Sequence, residues 1–129
     1  FVVCNSLTNI HTNNMKNMKE IATRNLPGTT ANIVFKTSYP PMEPTKENYA
    51  LLDQMEVVNL ALGYGKLEPL DPSKRGAADI SFVAPHVNAS LAGMGPDGFG
   101  DHSENEGLDL LSFPKTTTRA AILIYRLTR

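Results

Sequence analysis

His102 is the residue of this sequence best suited to metal chemistry. It lies in residues 93–106, a stretch with four glycines and several acidic side chains. Glycines let the backbone turn tightly and approach a ligand closely. A neutral imidazole is a common zinc ligand, and a neighbouring carboxylate fixes its tautomer and raises its basicity. The stretch alone is therefore compatible with a metal ligand at His102, but it favours a loop histidine hydrogen-bonded to Asp101 or Glu106.

One histidine does not make a zinc site, because zinc in proteins is held by three or four ligands. The sequence contains no His-x-x-x-His, no pair of cysteines and no adjacent Glu-Glu. His11 and His86 are expected to be surface or hydrogen-bonded histidines, and the single cysteine, Cys4, a small buried residue. Any complete metal site must therefore take further ligands from outside this sequence.

Three helices are predicted from the helical spacing of apolar residues, over residues 12–25, 48–62 and 114–126. The second helix follows Thr45 and stops at Gly63. The last helix is expected to pack on a sheet. Residues 1–4 and 30–36 have the apolar or alternating pattern of strands.

Proline and glycine divide the rest of the chain. Three prolines in residues 38–45 predict a stiff, extended connector and a lobe boundary. Residues 63–111 are rich in glycine, proline and small side chains, a composition typical of strand ends and site loops. We expect the functional residues in this second stretch.

Composition excludes several classes of partner. The 129 residues, of which 41% are hydrophobic, suffice for one compact unit or two small lobes. Twelve basic and thirteen acidic residues lack the basic excess of proteins that bind nucleic acid or anionic membranes. The sequence has no run of about eighteen apolar residues, so it predicts no membrane span. The opening apolar run has no initiator Met, and we interpret it as a start inside a longer protein.

Four segments in order resemble the C-terminal part of zinc metallopeptidases and amidohydrolases of the glutamate carboxypeptidase, aminoacylase and succinyl-diaminopimelate desuccinylase family. They are residues 75–82 (RGAADISF), 93–96 (GMGP) and 98–106 (GFGDHSENE), followed by the C-terminal helix. Family members show a Gly-Gly-Ser/Thr-Asp segment, a Gly-x-Gly loop and a His-Ser-x-x-Glu motif in this order. Residues 39–45 are similar to the return from the family's lid domain.

The resemblance implies an α/β fold in two parts. Residues 1–38 would be the final helix and strand of a ferredoxin-like lid domain, which in this family often mediates dimerisation. Residues 39–45 would be the hinge. Residues 46–129 would be the C-terminal part of an α/β sandwich domain that holds the zinc ions. A homodimer through the lid domain is therefore expected.

The resemblance also implies a site chemistry. The family uses two zinc ions, about 3.5 to 4 Å apart, that share a carboxylate and a water. His102 matches the family's C-terminal histidine ligand of one zinc. The remaining ligands and the glutamate base belong to the family's N-terminal part.

The same resemblance also implies which residues bind the substrate. Arg75, Gly76 and Ala78 fall where family members present groups to the substrate carboxylate, and an arginine fork suits a carboxylate. Ala78 departs from the family's Ser or Thr and lacks the hydroxyl donor. Gly98 and Phe99 are expected to line the pocket through their backbone. Asp79 is expected to bond backbone amides of its own loop.

The implied function is part of a zinc-dependent exopeptidase or amidohydrolase. Such an enzyme cleaves an amide next to a free carboxylate, in a peptide or an N-acyl amino acid, and the 129 residues alone are expected to be inactive. The alternative is a non-catalytic dimerisation or binding module derived from the same fold. Nucleic acid and membranes are not expected as partners.

Overall fold

The computed structural model describes residues 7–36, 38–40, 42–71 and 78–129. Within them lie four helices and one two-stranded sheet, in chain order as follows: α1 (Leu7–Ala22), α2 (Lys46–Ala61), α3 (Ile80–Val83), β1 (Gly98–Phe99), β2 (Gly107–Leu108) and α4 (Ser112–Leu127). A 3-10 turn, Ala84–His86, follows α3 directly. Predicted strand 1–4 lies outside the described residues.

Helix α2 follows Thr45 and stops before Gly63 as predicted, with its start two residues and its end one residue earlier than the predicted range 48–62. The Thr45 side chain accepts a hydrogen bond from the backbone N–H of Asn48 at 3.1 Å, which satisfies a donor of the first turn. At the other end, Gly63 N–H donates to Leu60 O and Tyr64 N–H to Asn59 O, both at 3.0 Å. This pair of bonds is the Schellman motif that glycine permits after a helix.

The core lies between α2 and α4. Its buried apolar side chains in the described residues are Met55, Val58 and Leu123. Partly buried apolar side chains surround them: Leu52, Leu62, Leu67, Leu91, Met94 and Ile122. The apolar face predicted for the second helix is thus confirmed. Helix α4 packs on α2 and has no contact with β1 or β2, so the expectation that it packs on a sheet is wrong for the described residues.

A polar pair crosses the same helix contact. Arg119 Nη1 donates to Asn59 Oδ1 at 3.3 Å, and Asn59 Nδ2 donates to Gly65 O at 2.8 Å. Both side chains are buried, and Arg119 Nε has no hydrogen-bond partner. Buried polar groups lose water on folding and must regain hydrogen bonds inside the protein. This pair therefore links α2, α4 and the turn after α2.

Helix α1 confirms the first predicted helix with shifted ends. It stops at Ala22, where the chain turns and Thr23 Oγ1 donates to Glu20 O at 2.7 Å. Among the described elements, α1 contacts no other helix or strand. Lys19 lies over the ring of Phe35 at 5.5 Å. No helix in the described ranges is long and apolar enough to cross a membrane.

The strand predicted over residues 30–36 is wrong in this structure. These residues have no regular secondary structure. A strand needs a neighbour that pairs with its backbone groups, and the described part of the chain holds only the β1–β2 sheet. The α/β sandwich and the ferredoxin-like lid remain predictions, because this sheet is too small to test them.

Candidate functional site

His102 lies at the tip of a short hairpin. Strands β1 and β2 pair antiparallel, with Gly98 opposite Leu108 and Phe99 opposite Gly107. Between them the chain turns through residues 100–106, and His102 is exposed there. The predicted pocket residues Gly98 and Phe99 thus share one hairpin with the predicted metal ligand.

The backbone of His102 is left-handed, with a φ of 64°. It is the one residue other than glycine with a positive φ in the described ranges. This conformation costs an L-residue roughly 1–2 kcal/mol, although histidine tolerates it better than bulky residues do. Such outliers concentrate at functional sites, so the geometry sets His102 apart from the exposed His11 and His86.

Ser103 holds this turn in place. Its hydroxyl donates to Gly100 O at 2.7 Å and accepts from Asn105 N–H at 3.2 Å. Its backbone N–H donates to Gly100 O at 3.1 Å, and its carbonyl accepts from Glu106 N–H at 3.2 Å. Four hydrogen bonds through one residue fix the backbone on both sides of His102.

Two glycines make this turn possible. Gly100 has a φ of 68°, and a Cβ there would lie 2.7 Å from Asn105 O. A Cβ at Gly107 would overlap the ring of Phe99, which lies across the backbone of the opposite strand. Phe99 keeps 63% of its surface exposed, so its outer face is free for contact.

The hairpin is anchored to the start of α4. Asp97 N–H donates to the buried Ser112 Oγ at 2.8 Å, and Ser112 Oγ donates to Asp109 O at 2.7 Å. Asp109 N–H donates to Asp97 O at 2.9 Å, which closes the base of the hairpin. Ser112 therefore connects the hairpin that carries His102 to helix α4.

The described part of the chain does not complete a metal site. It contains no group of three or more His, Cys, Asp or Glu side chains placed to hold one ion. Asp101, Glu104 and Glu106 are exposed on the same loop as His102. The loop thus offers one imidazole, and the described residues fit a zinc ion only as the source of a single ligand.

Of the residues predicted to meet the substrate carboxylate, Ala78 is the one that the structure describes. Arg75 and Gly76 lie outside the described residues. Ala78 is half-buried before α3, and its carbonyl accepts from Ser81 Oγ at 2.6 Å. Helix α3 has no contact with β1 or β2. In this structure the helix that follows Ala78 therefore has no contact with the strands of the hairpin that carries His102.

Asp79 ties the connector to α3, a role that the sequence did not indicate. Its carboxylate accepts from Tyr39 Oη at 2.9 Å, and it makes no side-chain cap bond to α3. Residues 72–77 of its loop lie outside the described part of the chain, so the expectation that Asp79 bonds backbone amides of that loop stays a prediction. The hydrogen bond to Asp79, its negative charge and partial burial all raise the pKa of the Tyr39 phenol. The Tyr39 ring also contacts Phe82, with centroids 5.2 Å apart.

The described residues also form a groove of about 320 Å³. It is lined by connector residues, by one α2 residue and by residues after α3: Met42, Glu43, Thr45, Asn48, Ala84, Pro85, Val87 and Asn88. Asn48 is already engaged, since it donates to Glu43 O at 3.0 Å and accepts from Ser90 N–H at 2.8 Å. The predicted hinge is therefore packed against residues 79–90.

Comparisons with protein-family models, with curated proteins and with solved structures find no match to this chain.

Proposed function

We propose that this chain is the C-terminal part of a zinc-dependent exopeptidase or amidohydrolase of the glutamate carboxypeptidase type. The enzyme would hydrolyse an amide bond next to a free carboxylate, in a peptide or an N-acyl amino acid. The observation that supports it is the backbone of His102. An exposed histidine is held in a left-handed conformation by a turn that Gly100 and Ser103 fix.

A fixed turn suits a metal ligand because it reduces the ordering that binding requires. Ser103 bonds the backbone on both sides of His102, so the start of its side chain has a defined position. The imidazole itself is exposed. A ligand on an ordered exposed turn meets a metal without a prior rearrangement of the loop.

The other ligands must come from sequence outside this chain. The loop supplies one imidazole, whereas a catalytic zinc takes about three protein ligands. The proposal therefore assigns His102 to the shell of one of two zinc ions. The isolated 129 residues bind zinc weakly and have no amidase activity.

Five further residues enter the proposal on the substrate side. Gly98 and Phe99 precede His102 on β1, and Phe99 presents its exposed outer face beside the loop. Arg75, Gly76 and Ala78 are proposed to meet the substrate carboxylate. Since α3 and the hairpin are separate here, this assignment requires the two segments to approach in the longer protein.

The test uses the longer protein that contains this chain. Its zinc content and its hydrolysis of N-acyl amino acids are measured for wild type, His102→Ala, His102→Gly and His86→Ala. We expect about two zinc ions in wild type, and a loss of activity of at least about 100-fold in both His102 variants. The His86→Ala variant removes an exposed imidazole elsewhere and is expected to behave as wild type.

The His102→Gly variant distinguishes the effect of the imidazole from that of the backbone conformation. Glycine adopts the left-handed turn without strain, so this variant keeps the loop and loses only the side chain. Full zinc content and full activity in His102→Gly would overturn the proposal. A parent sequence without His-x-Asp and Glu-Glu upstream of Phe1 would overturn it as well.

A second candidate function is a dimerisation module, and α1 favours it. Met18 and Ile21 are 50% and 63% exposed on a helix that contacts no other described element. An apolar helix face of this kind commonly packs on a partner. Light scattering, zinc content and hydrolysis of N-acyl amino acids, all measured on the longer protein and its Ile21→Glu variant, discriminate between the candidates. A longer protein that dimerises, dissociates in Ile21→Glu, holds no zinc and hydrolyses no N-acyl amino acid supports the module.

A further inference from the structure

Residues 88–90 carry a motif that the proposed function does not use. Asn88-Ala89-Ser90 is an Asn-x-Ser sequence with a residue other than proline in the middle, which is the acceptor motif for N-linked glycans. No other asparagine of the sequence has Ser or Thr two positions later. The motif becomes informative only if its asparagine lies on an accessible loop.

The structure meets this condition. Val87 leaves the 3-10 turn in an extended conformation, with φ −130° and ψ 155°, and Asn88 follows it on the surface. In the ranges that the structure describes, the Asn88 side chain makes no hydrogen bond. Its amide is therefore available for substitution without loss of a native contact.

Ser90 fixes the other end of the motif. Its backbone N–H donates to Asn48 Oδ1 at 2.8 Å, and the residue is 6% exposed. A transferase that must contact both Asn88 and Ser90 cannot reach the buried serine in the folded chain. Modification would therefore occur on the nascent chain, before Ser90 packs against α2.

The surface around Asn88 favours a bulky hydrophilic group. Phe82, Val83 and Val87 are 53%, 47% and 44% exposed on the segment that precedes it. Asn88 and Met42 are also among the residues that line the groove. A glycan at this position would extend over apolar surface that is otherwise open to water.

We propose that Asn88 is an N-glycosylation site of this protein. The Asn88 amide nitrogen bonds to the anomeric carbon of a lipid-linked oligosaccharide pyrophosphate. The bond from that carbon to the pyrophosphate oxygen breaks, the lipid pyrophosphate leaves with the electron pair, and the amide nitrogen loses one proton. The modification requires passage through a secretory compartment.

The test expresses the full 129-residue chain behind a secretion leader in eukaryotic cells. Intact mass and peptide mapping are recorded before and after peptide-N-glycosidase, which converts a glycosylated asparagine to aspartate. We expect a glycan on Asn88 in wild type and in Ser90→Thr, and none in Asn88→Gln or Ser90→Ala. The control Asn105→Gln changes another exposed asparagine and should keep the glycan.

An unmodified Asn88 peptide in the secreted wild-type chain would overturn this inference. A glycan that persists in Asn88→Gln would overturn it too. The measurement requires neither zinc nor catalytic activity. Its outcome is therefore independent of the proposed peptidase function.

Discussion

Asn59→Ala is expected to be one of the most destabilising single substitutions in this chain. It removes the bond from Asn59 Nδ2 to Gly65 O and the bond from Arg119 to Asn59 Oδ1. A neutral bond contributes about 1 kcal/mol and a bond to a charged group about 1.5–3 kcal/mol. The variant also leaves a buried guanidinium without its acceptor. The two bonds together correspond to a loss of about 2.5–4 kcal/mol in the free energy of unfolding.

Urea unfolding followed by the helix signal in circular dichroism measures this loss. Gln54→Ala is the matched control, because it removes a similar amide from an exposed position of α2. It should change stability by less than about 0.5 kcal/mol. If the loss exceeds the free energy of unfolding of the wild-type chain, the Asn59→Ala variant will be unfolded even without urea.

The double variant Asn59→Leu with Arg119→Met provides a second test if the Asn59→Ala variant is unfolded. It replaces both polar partners by apolar side chains, and the carbonyl of the exposed Gly65 is free to bond water. Replacement of both partners is often close to neutral. A double variant as unstable as Asn59→Ala would contradict the stabilising role of the Asn59–Arg119 pair. An Asn59→Ala variant whose free energy of unfolding differs from that of wild type by less than about 0.5 kcal/mol would contradict it too.

Three further predictions follow from local geometry. Gly107→Ala should displace the Phe99 ring from the opposite strand, and nuclear magnetic resonance shifts of the hairpin would report the change. Thr45→Ala should cost about 1 kcal/mol through loss of the cap of α2, measured as a lower urea midpoint. Because the pKa of Tyr39 is raised in the folded chain, the bond to Asp79 stabilises the fold below about pH 10 and is lost at higher pH as the phenol ionises. Tyr39→Phe should lack this part of the pH dependence in thermal melts, and equal pH profiles for both chains would contradict it.

Local signals predicted the helices well. Helix α2 has a threonine cap, an apolar face and a terminal glycine, and each of these acts within a few residues. The structure places all three as the sequence indicates. Predictions that depended on distant partners did less well. Residues 30–36 have the alternation of a strand, yet alternation supplies no neighbouring strand.

The candidate site shows the same division. The glycines around His102 predicted a tight turn, and the turn is present. The roles of Ser103 and of Phe99 across Gly107 were not predicted, because they depend on which carbonyl or ring lies opposite. The bond between Tyr39 and Asp79 joins residues 40 positions apart, a separation at which spacing carries no information.

The polar character of the contact between α2 and α4 has a calorimetric consequence. In the described residues the buried apolar side chains are Met55, Val58 and Leu123, whereas Asn59, Ser112, Thr116 and Arg119 are buried polar ones. Exposure of apolar surface raises the heat capacity on unfolding, and exposure of polar surface lowers it. The chain should therefore have a heat-capacity increment below the usual value of about 12–15 cal/mol/K per residue. Its stability curve would then be flatter, so its stability would vary little between cold and ambient temperature.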